Sequence, residues 1–522
     1  MLMIAMIIPT SGIASETDDD ADSSIVITYE DDDDEPEDTG EIKITYEDED
    51  DEPGDTGEIK ITYEDEEDED SDTITAIQSR PSISNDFTIE GLIEFESFIN
   101  TDHDQQSSEA EKKSEVRGSL KLRQGNDRFH LFCRSDFYLY TPFNGDENYH
   151  YSRESKIFRN FKYASDNTEV TFNELYMNFG TEKFRIRMGN QIFGWGTGDA
   201  FNPTSYFNPT DMREMFFKDD DQLKQGVPAI SGMFFGNNFT LETVVVPLHT
   251  PGHIATGNDY WSLNLDNYTI PLILNEPEQL EATASNVGTG ARATTTIGPG
   301  DFSLSVYHGP DKDPAYQATE TLLSDNNAVS VIVNPFYGKL SMVGMDCSIT
   351  YDKFVFQIEA AYSPNKTGVE KQSNSSVSDV QFPYTLKKKD FLSVAAGFNY
   401  FIPLDNILEE HEGETVLTVE FFHADFLDDN ISNPLLSEIA LVRLQDSFFK
   451  SHLNLSVTGI FDLKNNGRLI WPKIEYDFLN GFSTELAFAD IKGEASSDNQ
   501  TESVFYYLRK NDFITLKVRY EF

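Results

Sequence analysis

The last ten residues of the chain, Phe513 to Phe522, read FITLKVRYEF, and they alternate without a break between apolar and polar side chains. One face carries Ile514, Leu516, Val518, Tyr520 and Phe522, and the other carries Thr515, Lys517, Arg519 and Glu521. A repeat of two residues is the period of a β-strand. The stretch therefore predicts a strand that separates an apolar environment from a polar one.

The same alternation recurs along most of the chain and predicts eighteen strands. They lie at 87–98, 116–122, 129–140, 168–179, 183–191, in the hairpins 226–247, 286–309 and 339–363, and at 389–401, 414–424, 436–445, 450–463, 467–478, 482–491 and 513–522. Most have the length that a tilted strand needs to cross a bilayer. Short turns tend to alternate with long loops, which is typical of transmembrane barrels.

We therefore predict an all-β fold, a single transmembrane antiparallel β-barrel of about 18 strands (16–18) over residues 84–522. The alternative is a large soluble β-protein, such as two sandwiches or a propeller. Propeller blades would show a repeated motif, and residues 84–522 contain none. Sandwich strands rarely sustain this length with such polar partner faces.

Composition excludes two other classes of protein. The mean hydropathy is −0.45, and no run of about eighteen apolar residues follows the N-terminus, which excludes a helical membrane protein. The formal net charge of −53 excludes a general nucleic-acid binder, because phosphate binding needs a basic surface. The two cysteines give no disulfide framework.

The N-terminal part of the chain has a different composition from the rest. Residues 1–15 resemble the apolar core of a secretory signal peptide with small residues near a cleavage point. In residues 16–83 the unit I-x-I-T-Y-E and a following acidic run recur around Tyr29, Tyr46 and Tyr63. The segment from Glu16 to Asp72 contains thirty acidic residues and two lysines, which gives it a net charge of −28. We expect a disordered acidic tail; weak binding of divalent cations is the alternative.

A structured loop is predicted after the strand 183–191. The stretch from Phe184 to Arg213 reads FRIRMGNQIFGWGTGDAFNPTSYFNPTDMR and loses its alternation after the strand. Glycines free the backbone, Asn-Pro pairs make turns, and aromatic residues supply packing surface. We expect a loop that folds into the lumen and narrows it or contacts solute; an ordered extracellular loop or a kink that closes the barrel is the alternative. The candidate residues are Gln191, Trp195, Gly196, Asp199, Asn202, Asn208, Pro209 and Asp211.

The run R-x-R-x-G-x-Q, followed by W-G and N-P-x-D, resembles a family of Gram-negative outer-membrane proteins. The matching residues are Arg187, Gly189, Gln191, Trp195, Gly196, Asn208, Pro209 and Asp211. The resemblance implies a porin-like channel in the outer membrane, with export or uptake of hydrophobic compounds in some members. An alternating final strand that ends in Phe also resembles the signal read by the outer-membrane assembly machinery. It implies that Tyr520 and Phe522 form an assembly signal, and that this machinery and outer-membrane lipids are partners.

Nine cations share the phase of the polar strand faces: Arg117, Lys121, Arg123, Arg128, Arg134, Arg185, Arg187, Lys517 and Arg519. In a closed barrel the first strands adjoin the last, so these cations are expected on one wall of the lumen. A basic wall attracts anions and favours their passage. The alternative is that the cations pair with lumenal carboxylates such as Glu174, Glu475 and Asp477, which would contribute only stability.

The sequence contains no motif that indicates catalysis. G-x-S-x-G, H-E-x-x-H and Cys/His clusters are all missing, so no enzymatic activity, metal or cofactor is predicted. We expect an outer-membrane channel for small solutes, hydrophobic or anionic, with the acidic tail in the periplasm. The alternative is an outer-membrane anchor or binding protein whose tail docks a partner or binds divalent cations.

Overall fold

A computed structural model of the chain describes residues 43–45, 58–62, 74–77, 86–101, 112–141, 162–165, 168–214, 217–255, 261, 272–275, 277–324, 327–371, 383–404, 411, 413–494 and 503–522. From Phe87 to the C-terminus these residues belong to one compact unit, and the described residues from Lys43 to Asp86 belong to another.

Eighteen long strands close into an antiparallel barrel. They are β1 (Asp86–Asn100), β2 (Lys112–Gly125), β3 (Phe129–Thr141), β4 (Thr168–Gly180), β5 (Phe184–Gln191), β6 (Val227–Phe235), β7 (Phe239–Val246), β8 (Gly288–Ile297), β9 (Gly300–Pro310), β10 (Lys339–Tyr351), β11 (Phe354–Val369), β12 (Leu386–Ile402), β13 (Thr415–Phe426), β14 (Glu438–Phe448), β15 (Leu453–Asp462), β16 (Gly467–Asp477), β17 (Phe482–Gly493) and β18 (Phe513–Glu521). The short strand Lys162–Ser165 adds to β4. The predicted fold class is confirmed.

The C-terminal strand closes the barrel by pairing with the first strand. The register of β18 and β1 runs from Phe513 opposite Asn100 to Glu521 opposite Leu92. Leu516 is 46% exposed, whereas Lys517 is only 6% exposed. The apolar face of the terminal strand therefore points out of the barrel and the polar face points in, as the alternation predicts.

Each predicted strand corresponds to one observed strand, although several extend further than predicted. β2 spans Lys112–Gly125, against the predicted 116–122. β11 extends to Val369 and β12 begins at Leu386, so both enter the region between the predicted strands that end at 363 and begin at 389. Both extensions lie at one end of the barrel, where the strands rise above the apolar belt and no longer need alternation.

The two ends of the barrel differ in their connections. Eight connections at one end, the short-turn end, span 126–128, 181–183, 236–238, 298–299, 352–353, 403–414, 449–452 and 478–481. The opposite, long-loop end carries connections of up to 41 residues, at 247–287. Exposed aromatic side chains encircle the short-turn end: Phe87, Phe129, Phe179, Phe184, Phe239, Tyr351, Phe449, Phe478, Phe482 and Phe522. Such an aromatic girdle marks a membrane interface.

Several small elements lie outside the barrel wall and were not predicted. At the long-loop end, Leu272–Leu274, Ala315–Ser324 and Asn327–Phe336 form a three-stranded sheet. Two short helices are Asp220–Leu223 and Val504–Leu508. Within the described ranges, no helix is both long and apolar enough to cross a membrane.

Three strands of the acidic N-terminal segment form an antiparallel sheet of their own: Lys43–Thr45, Glu58–Thr62 and Ile74–Ile77. The first two contain the I-T of the repeated unit. The rest of the segment predicted as a disordered tail, and the predicted signal peptide 1–15, lie outside the described residues. Their assignments stay predictions.

Candidate functional site

The connection between β5 and β6, residues 192–226, crosses the interior of the barrel, and we call it the crossing loop. It makes hydrogen bonds or ion pairs with side chains on β4, β7, β11, β13 and β18. These strands are distributed around the whole ring. A single connection can reach all of them only from inside the barrel, so the crossing loop lies across the lumen.

Glu359 on β11 holds the first part of the crossing loop. Its carboxylate accepts hydrogen bonds from the backbone amides of Thr197, Gly198 at 2.6 Å and Thr204 at 3.3 Å. The hydroxyl of Thr204 donates a further bond at 3.1 Å. Glu359 is fully buried, so each of these bonds forms away from water, where a hydrogen bond is electrostatically stronger.

Glu420 on β13 holds the next residues of the crossing loop. Its two carboxylate oxygens accept the backbone amides of Ala200 and Phe201, both at 2.9 Å. The ring of Phe201 stacks on Phe422, with ring centroids 4.8 Å apart. We call Glu359 and Glu420 the anchoring glutamates.

Glycine is required where the crossing loop approaches the anchoring glutamates. Gly196 has a φ of +105°, and a Cβ at this position would lie 2.5 Å from Oε1 of Glu359. A Cβ on Gly198 would lie 2.2 Å from the carbonyl oxygen of Phe201. The W-G-T-G sequence therefore lets backbone amides, and not side chains, face the wall.

Asn208 joins the two ends of the crossing loop. Its side-chain oxygen accepts the amide of Phe193 at 2.7 Å, and its amide group donates to the carbonyl oxygens of Gln191 at 3.0 Å and Gln225 at 2.8 Å. The carbonyl oxygen of Pro209 accepts the Gln225 amide at 2.9 Å. The predicted loop residues Gln191, Asn208 and Pro209 thus close the base of the loop.

Other predicted loop residues also contact the protein itself. The indole of Trp195 is 2% exposed and donates to Glu242 on β7 at 2.7 Å. The carboxylate of Asp199 accepts a hydrogen bond from Asn399 at 2.5 Å, and the side chain of Asn202 donates to the Gly198 carbonyl at 2.9 Å. These contacts fix the loop; contact with solute stays a prediction.

A buried ionic cluster holds the returning part of the crossing loop. Arg213 donates to Asp211 at 2.7 Å and to Glu169 on β4 at 3.0 Å, and Lys218 approaches Asp211 at 3.3 Å. Burial alone would raise the pKa of Asp211, but Arg213 and Lys218 hold it well below its usual value. Asp211 therefore remains charged and binds both cations.

Asp219 attaches the end of the crossing loop to the final strand. Its carboxylate lies 3.3 Å from the amine of Lys517 and 2.7 Å from the guanidinium of Arg519, which also pairs with Glu94. Burial opposes ionisation, yet the two cations lower the pKa of Asp219 far below its usual value. Lys517 and Arg519 are thus neutralised by carboxylates of the loop and of β1.

The remaining predicted cations lie on β2, β3 and β5 or in the turn after β2. Arg117 forms a buried ion pair with Asp136 at 3.3 Å, and Arg134 approaches the same carboxylate at 3.5 Å. Arg187 donates to Asn178 at 3.3 Å, and Arg185 lies over the ring of Phe235. Arg123 pairs with Asp127 in the exposed turn that also contains Arg128, and Lys121 is exposed.

The opposite wall carries acidic side chains at the level of the crossing loop. Glu242, Asp346, Glu359 and Glu420 face inward on β7, β10, β11 and β13, and Arg292 on β8 pairs with Asp346 at 2.8 Å. This acidic wall was not predicted, although the alternation of these strands shows the inward phase at each of the four positions. In the described part of the chain, no group of three or more His, Cys, Asp or Glu side chains is arranged to hold a metal ion.

No family model and no curated protein sequence matches this chain. Among solved structures, it is similar to Acinetobacter baumannii OccAB3, at 12% identity and a TM-score of 0.45, over 84% of this chain and 99% of that one. Pseudomonas aeruginosa OccK2 (OpdF), solved with glucuronate, gives 9% identity and a TM-score of 0.43, over 84% and 98% of the two chains. Pseudomonas aeruginosa OpdK, solved with vanillate, gives 11% identity and a TM-score of 0.41, over 84% of this chain and 98% of that one. Similarities this low do not identify a family.

Proposed function

We propose that the chain is a channel for small solutes in the outer membrane of a Gram-negative bacterium, with its short-turn end and N-terminal tail in the periplasm. Short periplasmic turns and long extracellular loops are the usual arrangement in bacterial barrels. In this proposal Tyr520 and Phe522 are the signal that the assembly machinery reads. The observation that carries the proposal is the crossing loop, because a segment fixed inside a closed wall sets the width through which a solute passes.

The attachment of the crossing loop favours its role as a fixed constriction, in contrast to a mobile lid. Its backbone amides are bound by the anchoring glutamates, and its returning part by the ionic cluster around Asp211. A loop bound at several strands keeps a fixed position and narrows the lumen. An anchor protein would need no such device inside its barrel.

The charges below the crossing loop support a preference for anions. Arg185 and Arg187 share the inward phase of β5, while Ile186 between them is 49% exposed on the outer face. Arg in hydrocarbon costs about 2–4 kcal/mol at the bilayer midplane, so these side chains belong to the lumen. Lys121 adds an exposed cation on β2. A solute that leaves the constriction toward the short-turn end passes these groups, which lower the energy of an anion.

Current through single molecules in planar bilayers tests the proposal. Protein whose folding is established by faster gel migration before boiling should give discrete conductance steps in potassium chloride. The same protein unfolded by boiling provides the matched control, because it contains the same detergent and contaminants. Folded protein that inserts into the bilayer and gives no steps would contradict a channel and favour the anchor.

A further inference from the structure

A cavity of about 850 Å³ lies at the long-loop end of the barrel, between β15, β16, β17 and the segment before β18. Its lining includes Phe461, Arg468, Lys492, Arg509 and Lys510. Four cations and three carboxylates, Asp462, Glu494 and Asp512, line it, a formal charge of +1 in a chain whose net charge is −53. We call this the rim cavity.

The rim cavity lies where the strands end, and its strand residues come from both faces: Asp462 and Ile491 have the inward phase, whereas Phe461, Arg468 and Lys492 have the outward phase. Phe461 is the register partner of Arg468, which is in turn the partner of Lys492. Their chain neighbours Leu469 and Ile491 are 0% and 1% exposed and face inward. Because successive side chains on a strand point to opposite faces, Arg468 and Lys492 lie on the outer surface.

The height of the rim cavity places it at the membrane interface. On β16 the outward side chains that follow Arg468 are Ile470, Pro472, Ile474 and Tyr476, and Phe478 follows in the aromatic girdle. Ten residues at about 3.3 Å each, tilted by about 40°, span about 25 Å, the usual height of the apolar band. Arg468 thus lies one membrane thickness above the girdle, at the level of lipid headgroups in the opposite leaflet.

Two of the four cations have no partner among the described residues. Within the described ranges, the side chains of Arg468 and Lys510 make no hydrogen bond or ion pair. Lys492 pairs with Asp490 at 2.8 Å, and Arg509 donates to the Tyr506 carbonyl. The charges of Arg468 and Lys510 are therefore available to a ligand.

The carboxylates of the rim cavity accept hydrogen bonds from other groups and make no ion pair with Arg468 or Lys510 among the described residues. Asp462 accepts the backbone amides of the turn that follows it, with Asn465 at 2.9 Å. Asp512 accepts the amide of Ile491 at 2.7 Å. Glu494 accepts the side-chain amide of Asn466 at 2.9 Å.

We propose that the rim cavity binds the phosphate group of a lipid in the outer leaflet. Arg468 and Lys510 contact the phosphate oxygens, and the acyl chains lie along the apolar outer surface below Phe461. Guanidinium and ammonium groups at the edge of a membrane are the usual ligands of anionic headgroups. The site rests on the proposed orientation in the outer membrane, but it does not depend on solute passage, so loss of conductance and loss of lipid binding are distinguishable outcomes.

Native mass spectrometry of the full chain in dodecyl maltoside micelles tests the site, with dioleoyl phosphatidic acid as the probe. The test variant is Arg468→Ala with Lys510→Ala. The matched control is Lys339→Ala with Lys388→Ala, two exposed cations elsewhere on the long-loop end that also have no partner among the described residues. Faster gel migration before boiling establishes that both variants are folded.

The wild-type chain should bind one phosphatidic acid more tightly than phosphatidylcholine. Each cation near a membrane surface contributes about 1 kcal/mol to such binding, so the test variant should raise the dissociation constant about thirtyfold. The control variant should change it less than threefold. Equal losses in both variants, or equal binding of phosphatidylcholine, would overturn the proposal. Displacement of the lipid by equimolar inorganic phosphate would contradict a lipid ligand and show that the cavity binds a free anion.

Discussion

Replacing the anchoring glutamate Glu420 by alanine should release the crossing loop from the barrel wall. The backbone amides of Ala200 and Phe201 would lose their acceptors while the neighbouring Glu359 stays in place. The barrel itself should still fold, because the substitution changes a single inward side chain in a wall of eighteen strands.

The structure gives the size of the effect. Each buried amide left without an acceptor costs about 1–3 kcal/mol, so two amides weaken the attached state by about 2–6 kcal/mol. The smaller figure shifts the equilibrium between attached and released loop about thirtyfold. The released loop would no longer narrow the lumen at β13, so open-channel conductance and current noise should both rise.

Two measurements test this shift. Single-channel recording gives the conductance, and hydrogen exchange gives the protection of residues 197–204, which should fall by the same factor. Glu485→Gln is the matched control: it neutralises a carboxylate on β17 that pairs with Lys473 on the neighbouring strand. The reasoning is refuted if Glu420→Ala is folded and yet keeps wild-type conductance and wild-type protection of residues 197–204.

Three further predictions concern the cations, the C-terminus and acid. Arg185→Ala with Arg187→Ala should move the reversal potential across a salt gradient toward cation preference, most clearly at low salt; an unchanged potential would contradict anion selection. Deleting Phe522 should reduce folded barrel in cells while export continues, seen as loss of heat-modifiable protein from the outer membrane. Asp219→Asn should destabilise the protein by a constant amount above about pH 5, because the lowered pKa keeps Asp219 charged in the folded state. Below about pH 4 that difference should shrink by about 1.4 kcal/mol per pH unit as the unfolded chain takes up the proton, measured by urea titration; a difference that grows in acid would contradict the assignment.

The barrel could be predicted from the sequence because its signal is repeated and local. Every crossing of the membrane repeats the alternation that the final strand displays, so an error at one strand leaves the others intact. The strand ends were harder to predict, since β11 continues to Val369 and β12 starts at Leu386 among three lysines. Above the apolar band the outer face contacts water, and the alternation disappears although the hydrogen bonding continues.

The partners of the crossing loop could not be predicted in the same way. Glycine, tryptophan and Asn-Pro pairs indicated a structured loop, and they do close and shape it. However, Gly198 and Glu359 are 161 residues apart, and Phe201 and Glu420 are 219 apart. Which wall a loop meets depends on the curvature of the closed sheet, which no local pattern encodes.

The contacts of the crossing loop also limit where solute specificity can lie. Gln191, Trp195, Asn208 and Asp211 have polar atoms bound to the protein, so they fix the position of the crossing loop and leave few groups for a solute. These four residues contact either the base of the crossing loop or the barrel wall, which accounts for their positions in the motif. A solute must instead be distinguished by inward groups that stay accessible, and the exposed amine of Lys121 is such a group. Two proteins that share this motif can therefore share a constriction and still pass different solutes.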